Sequence, residues 1–204
     1  MKYILASQSP RRREILSMLG LHFEVVTSHA DENSDLKDPY LLVEELSRRK
    51  GRAVRERLLS EGAELSDTLI ISSDTVVYCS GEILGKPEDA ADACRMLRMY
   101  SGGTHEVVSG ICLLYGETCR TAHEVTRVTF DRMTEDEICT YVEKEQPYDK
   151  AGAYAIQGSA SAFIKGIEGD FYNVVGLPVH RLALLYRELF GRSVIAPEPE
   201  QTQR

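Results

Sequence analysis

The sequence predicts a mixed α/β domain with α+β character, in which a long twisted mixed sheet is flanked by helices and two lobes surround a central cleft. Three observations carry that prediction. Short strand-like runs such as the apolar Tyr3–Ala6 and the β-branched Thr68–Ile71 alternate with helical periodicity through the first half of the chain. Two long strand patterns, Glu106–Tyr115 and Thr118–Phe130, follow one another across a Gly116-Glu117 turn. A length of 204 residues suffices for one substantial core. The expected division is a single domain over residues 1–191 and a loose polar tail over residues 192–204.

Taken in order, Tyr3–Ala6 reads as a short buried strand. Ser7-Gln8-Ser9-Pro10 is the turn that starts a helix with Ile15, Leu16 and Leu19 on one side, and Gly20 ends it. A second strand over Phe23–Thr27 and an acidic loop lead to a long helix capped by Asp38, with Pro39 in its first turn, running to about Leu59. Thr68–Ile71 is a strand, Val76–Tyr78 and Glu82–Leu84 form a hairpin around Ser80-Gly81, and the two flank Ser72-Ser73-Asp74-Thr75. Ala90–Tyr100 is a helix that buries Ala93, Met96, Leu97 and Tyr100 and stops at Gly102-Gly103. Thr134 and Glu137 have capping-box spacing for a helix to about Glu143. After the small-residue loop Tyr148–Gly158, Ala162–Ile167 and Phe171–Val175 read as a hairpin turning near Gly169-Asp170. The last helix starts at Gly176-Leu177-Pro178 and runs to Phe190.

A formal net charge of -8 at pH 7 argues against a nucleic-acid backbone or an anionic membrane as partner. A small anionic substrate stays open, because salt screens charge beyond roughly 8 Å and only a local cluster of cations matters. The five cysteines show no metal-binding pairing and an odd count; with no apolar leader, they fit reduced thiols in the cytoplasm.

The candidate chemistry gathers in a few segments. Ser7, Ser9, Arg11 and Arg12 lie where a strand ends and a helix starts, where free backbone N–H groups, the helix dipole, hydroxyls and guanidiniums all favour a phosphate. A solvated basic turn is the alternative. Asp74 ends an apolar strand and needs a cation or donor, and Glu32 of the acidic loop can join it around a hard divalent cation. Lys86, held by the Gly85-Lys86-Pro87 turn, and Lys50 of the long helix are phosphate ligands by type. Gln157 presents a neutral amide suited to a base edge. Glycine-rich phosphate loops, dinucleotide fingerprints, zinc-protease and serine-hydrolase signatures are all absent, which disfavours zinc and serine chemistry.

Taken together these segments resemble the Maf family of nucleoside triphosphate pyrophosphatases. The resemblance rests on Leu5–Arg12, the Asp31-Glu32 loop, Ser73–Val77, Gly85-Lys86-Pro87, Asp149–Gly158 and Asn173–Pro178, in the family's order and over nearly the whole chain. It implies a Maf/ITPase-like fold, and cleavage of pyrimidine triphosphates, dTTP and UTP, between the α and β phosphates to a monophosphate and pyrophosphate. The implied cofactor is Mg²⁺, with Mn²⁺ or Co²⁺ as alternatives, and a homodimer and a link to septum formation and division arrest follow from the same resemblance. By that match Asp74 falls on the proposed proton acceptor, and Arg11, Thr75 and Gln157 fall on positions tied to base preference. Two departures stand out: Ser73 replaces a small apolar residue, and His29-Ala30 replace a more apolar segment. Both metal binding and acceptance of a proton from the attacking water fit Asp74 on this resemblance. The rival readings are a deaminated-purine pyrophosphatase acting on ITP and a nucleotide-binding regulator of septum formation that works through a protein partner.

Overall fold

The computed structural model describes residues 1–195. Its elements are β1 (Lys2–Leu5), α1 (Pro10–Met18), β2 (Phe23–Val25), α2 (Pro39–Ser60), β3 (Thr68–Cys79), β4 (Glu82–Leu84), α3 (Ala90–Tyr100), β5 (Thr104–Tyr115), β6 (Thr118–Phe130), α4 (Glu135–Glu145), β7 (Ile164–Glu168), α5 (Phe171–Val175) and α6 (Val179–Phe190). One seven-stranded sheet runs β2-β1-β3-β5-β6-β7, with β4 on the edge of β3. β1 pairs in parallel with β2 and β3, and every other pairing is antiparallel. The mixed sheet and flanking helices match the expected fold class.

The central strand β3 differs from expectation in a way that matters. Ser72–Thr75 does not interrupt it: the strand continues for twelve residues, and β5 pairs with it from Leu69 to Tyr78, setting Asp74 opposite Gly110. On its other edge β1 covers only Thr68–Ile71 and β4 only Val77–Cys79. Among the described residues the strand edge between them has no strand partner. That fork, rather than a turn, makes the cleft.

Strand alternation then sends the polar residues of the fork to opposite faces. On the first face, Leu69, Ile71, Ile111 and Leu113 pack with Ile15 and Leu16 of α1 and Leu182, Leu185 and Tyr186 of α6. Farther along that face, Val77 and Val107 join a second core with Leu97, Tyr100, Phe130 and Ile138. These two cores are the two lobes, and the polar Ser73, Thr75 and Ser109 lie between them on the same face. The opposite face lies under α2, where Ile70, Cys112 and Leu114 meet Val54, and Val76 and Val108 meet Val43. Helix α2 rides unusually close: a Cβ on Gly110 would stand 2.1 Å from the Val43 carbonyl oxygen, and one on Gly51 would stand 2.9 Å from Ser72 Oγ.

The capping signals behave as their chemistry dictates. Ser9, Asp38 and Asp89 accept from first-turn N–H groups, and Thr134 and Glu137 close a full capping box. One expected strand is corrected. Ile164–Glu168 does pair with β6, but Phe171–Val175 is a helix, not the second arm of a hairpin. Its aromatic and β-branched residues suggested a strand, but Asp170 caps its first turn, accepting from Tyr172 N, and Gly176 ends it at φ 119°. Asn173, fully buried on this helix, donates to Val107 O at 2.9 Å and Thr126 Oγ1 at 3.0 Å, which pins the turn to the sheet. Of the expected tail, Val194 is buried in the α1/α6 core, and residues 196–204 lie outside the described residues.

Candidate active site

The fork of β3 opens into a cavity of about 790 Å³, and every residue singled out from the sequence lines it: Ser7, Ser9, Arg11, Arg12, Glu32, Lys50, Asp74, Thr75, Lys86 and Gln157. Its two walls are built differently.

On the α2 side, Lys50 Nζ donates to Asp74 Oδ1 at 2.5 Å and lies 3.0 Å from Glu32 Oε1. Asp74 is only 7% exposed, so its charge needs this partner. The close approach of α2 over Gly110, the cross-strand neighbour of Asp74, brings Lys50 within reach. Glu32 arrives on a segment without regular structure, held to α2 where Arg49 Nη1 donates to Asn33 O at 2.7 Å. Neighbouring Asp31 turns away and accepts from Asn33. The expected metal pair is therefore brought together around an ammonium. Among the described residues no third carboxylate, histidine or cysteine joins Glu32 and Asp74 in a metal-binding group. Two carboxylates with open room for phosphate oxygens remain a fitting donor set for Mg²⁺, which typically takes one or two carboxylates beside substrate phosphates and water.

On the α1 side, the Arg12 guanidinium is fixed by three acceptors: Nε donates to Gly176 O at 2.7 Å, Nη1 to Ser7 Oγ at 3.2 Å, and Nη2 to Thr75 Oγ1 at 3.1 Å. Burial pulls its pKa below the ordinary arginine value while Asp74 and Glu32 push it back, and it stays charged. Ser109 donates its proton to Asn173 O at 3.0 Å, so the 2.8 Å contact between Thr75 and Ser109 is donated by Thr75. Thr75 therefore spends its proton on Ser109 and a lone pair on Arg12. In this arrangement the hydroxyl has no proton left to offer a ligand. Ser73 donates to Gly110 O at 2.7 Å and lies 3.0 Å from Gly176 O. The single hydroxyl proton at this departure from the family pattern thus has two carbonyl acceptors within reach, one on β5 and one at the α5–α6 connection.

The far wall is looser. Arg11 lies 3.5 Å from Asp149, which also accepts from Lys150 at 2.6 Å. Burial pushes the Asp149 carboxyl up, but Lys150 and Arg11 outweigh it and hold it below the usual range. Lys86 and Gln157 are exposed, and Lys86 makes no ion pair among the described residues. Their loops are held from behind. Gly152 N donates to Gly85 O at 2.8 Å, and at φ 70° a Cβ on Gly152 would stand 2.5 Å from Val77 Cγ2. Tyr154 pairs with buried His105 at 2.8 Å inside an aromatic cluster. Sequence reasoning gave no role to Ser109, Gly110, Asn173 or Asp149. Asn173 and Asp149 stood inside the segments that carried the resemblance, whereas nothing local marked Ser109 or Gly110.

This arrangement gathers cations and hydroxyls around one buried carboxylate, which suits binding a polyphosphate and directing a water at it. Comparison with known proteins agrees. The family model described as Maf-like protein matches residues 2–189. The chain is 48% identical over 179 residues to the dTTP/UTP pyrophosphatase of Symbiobacterium thermophilum, covering 87% of this chain and 89% of that protein. It is 43% identical over 182 residues to the protein of the same name from Bacillus cytotoxicus, covering 89% and 92%. With that from Aquifex aeolicus it shares 39% identity over 189 residues, covering 93% and 96%.

Proposed function

The chain belongs to the Maf family, and from that membership we propose that it hydrolyses dTTP and UTP between the α and β phosphates, releasing a nucleoside monophosphate and pyrophosphate. The observation that carries this reading is the placement of Asp74. Buried at the fork, it accepts from Lys50 through Oδ1, and its other oxygen faces the cavity free of protein partners among the described residues. We assign that second oxygen to the attacking water. It accepts the water's proton as the new P–O bond forms in line with the anhydride oxygen that departs with pyrophosphate.

Lys50 and the fixed Arg12 offset the charge of the phosphates, Arg11 adds to them from the first turn of α1, and Lys86 closes around them from the looser wall. Ser7 and Ser9 keep their hydroxyl protons, since both accept in their observed contacts, and so can donate to phosphate oxygens. Thr75 acts as a positioning residue for Arg12, and Gln157 reads the base. Glu32 and Asp74 would hold a divalent cation, Mg²⁺ or its Mn²⁺ or Co²⁺ alternatives, whose contribution is to neutralise charge on the phosphate oxygens. Among the described residues no helix is long and apolar enough to cross a membrane, and we place the enzyme in the cytoplasm.

The test is product analysis with Mg²⁺ and a panel of dTTP, UTP, CTP, ITP and 7-methyl-GTP. Monophosphate and pyrophosphate formed from dTTP or UTP, and lost in Asp74→Asn, support the reading. Preferential turnover of ITP or 7-methyl-GTP overturns the substrate assignment, and the absence of any turnover overturns the activity.

A further inference from the structure

Outside the cleft, the face of the sheet beneath α2 holds a pair of thiols that the proposed reaction does not use. Cys112 of β5 and Cys119 of β6 stand diagonally across the antiparallel ladder, where Cys112 faces Thr121 and Leu114 faces Cys119. Their sulfurs are 3.5 Å apart. Cys112 is buried, and its sulfur lies 3.6 Å from the position a Cβ on Gly51 would occupy, so the missing side chain of α2 leaves room for it. Cys119 is partly exposed. Among the described residues Arg52 of α2 makes no ion pair, and its positive charge, with those of Arg48 and Arg120, acts on Cys119.

We infer that Cys112 and Cys119 form an oxidisable dithiol, in which Cys119 reacts with a hydroperoxide and Cys112 resolves the product to a reversible disulfide. The chemistry of the pair supports a division of labour. A hydrogen bond from Cys112 first, and the Arg52, Arg48 and Arg120 charges next, hold the Cys119 thiol down at about 6 against the effect of burial. On Cys112 the same shared proton, followed by burial, pushes its thiol far up. A thiolate that solvent can reach, next to a protonated partner, is the arrangement that favours attack followed by resolution.

The step balances with hydrogen peroxide as oxidant. The Cys119 thiolate attacks one peroxide oxygen, the O–O bond breaks, and hydroxide leaves and is protonated to water, giving a sulfenic acid on Cys119. The Cys112 sulfur then attacks the Cys119 sulfur. The S–S bond forms, the S–O bond breaks, and the departing hydroxide takes the Cys112 proton as a second water. Two thiols have lost two electrons and two protons, and one peroxide has become two waters. Diagonal strand neighbours stand roughly 7–8 Å apart between Cα atoms, just beyond the span a disulfide usually bridges, so the two strands must draw together to close the bond, and it is expected to be easily reduced.

The experiment exposes the full, reduced chain to a few equivalents of hydrogen peroxide, caps the remaining thiols and reads the mass. The expected result is a loss of two hydrogens, with Cys112 and Cys119 both protected from capping. Chymotryptic cleavage after Tyr115 should leave the two cysteine peptides joined until dithiothreitol is added. Cys112→Ser should stop at a Cys119 sulfenic acid trapped by dimedone, and Cys119→Ser should give neither product. Both thiols still open to capping after peroxide would overturn the inference, as would oxidation that falls first on exposed Cys139 or joins it to Cys94. The wild-type arm decides alone if either variant fails to fold, and the readout does not depend on nucleotide turnover.

Discussion

The two walls of the cleft are unequal. On the wall formed by α1, α2 and β3, each charged group is held by the protein itself: Lys50 by two carboxylates, Arg12 by three acceptors, Asp74 by burial. On the wall formed by the Gly85-Lys86-Pro87 turn and the Asp149–Gly158 loop, Lys86 and Gln157 reach solvent, and order comes from behind, through Gly152 and the Tyr154–His105 pair. The difference teaches where specificity is built in such a site. On the proposed reading, the fixed charges that handle the triphosphate, Lys50, Arg12 and Asp74, lie on regular elements, while Lys86 and the proposed base contact Gln157 lie on loops.

The sharpest way to break this comparison is Asp74→Asn. It keeps the shape and removes the proposed proton acceptor, so turnover of dTTP and UTP should fall by about 10³-fold or more, with the fold intact by circular dichroism. A variant that retains more than a tenth of turnover would remove Asp74 from the chemistry. Next in size is Gly110→Ala. Its Cβ would meet the α2 backbone, and a cost of about 3 kcal/mol in denaturant unfolding is expected together with loss of activity, because Lys50 moves with the helix. Wild-type stability at Gly110→Ala would show that α2 yields easily and that the first wall is less rigid than described.

The anchor of the second wall is open to a pH test. Burial pulls His105 from 6.5 to about 4, so the unfolded chain takes up a proton below pH 6.5 that the folded protein refuses until about pH 4. The stability from this group is fully present above pH 6.5 and is lost as pH falls through that window. The loss should reach roughly 3 kcal/mol, and His105→Phe should remove that part of the pH dependence. An unchanged slope in the variant would show that other groups carry it.

The smallest effects separate the two walls most directly. Thr75→Val should lower kcat/KM by about tenfold for every nucleotide alike, because it loosens Arg12. Gln157→Ala should change the ratio of kcat/KM between dTTP and ITP by about tenfold while leaving kcat on dTTP within a few-fold. The reverse pattern, with selectivity moving at Thr75 and not at Gln157, would return base reading to the fixed wall.

Much of this molecule is legible in its sequence, since local chemistry dictates it. Asp38-Pro39, the Thr134 and Glu137 box and Gly20 mark ends that capping or a left-handed turn fixes within one turn of chain. The long β5–β6 hairpin follows from alternation and a two-residue turn. All ten singled-out site residues line one cavity: residue type at a strand end or helix start marked Ser7, Ser9, Arg11, Arg12 and Asp74, and the resemblance gathered the rest. The misreadings were also local in origin. Ser72–Thr75 looked like an interruption because polar residues rarely fill a central strand, and Phe171–Val175 looked like a strand because its side chains are aromatic and β-branched.

The sequence by itself determined the capped helices, the alternating strands and the types of group available for phosphate chemistry, because each depends on residues within a few positions of one another. Only the tertiary structure decided that β1 and β4 would share one edge of β3 and leave a fork around Asp74, that Gly110 would admit α2 closely enough to lay Lys50 on that carboxylate, and that Ser109, donating its own proton to Asn173 O, would accept from Thr75. Those outcomes depend on pairings between residues far apart in the chain. Hydrogen-bond partners and close backbone approaches of that kind are settled by packing and leave no periodicity to read.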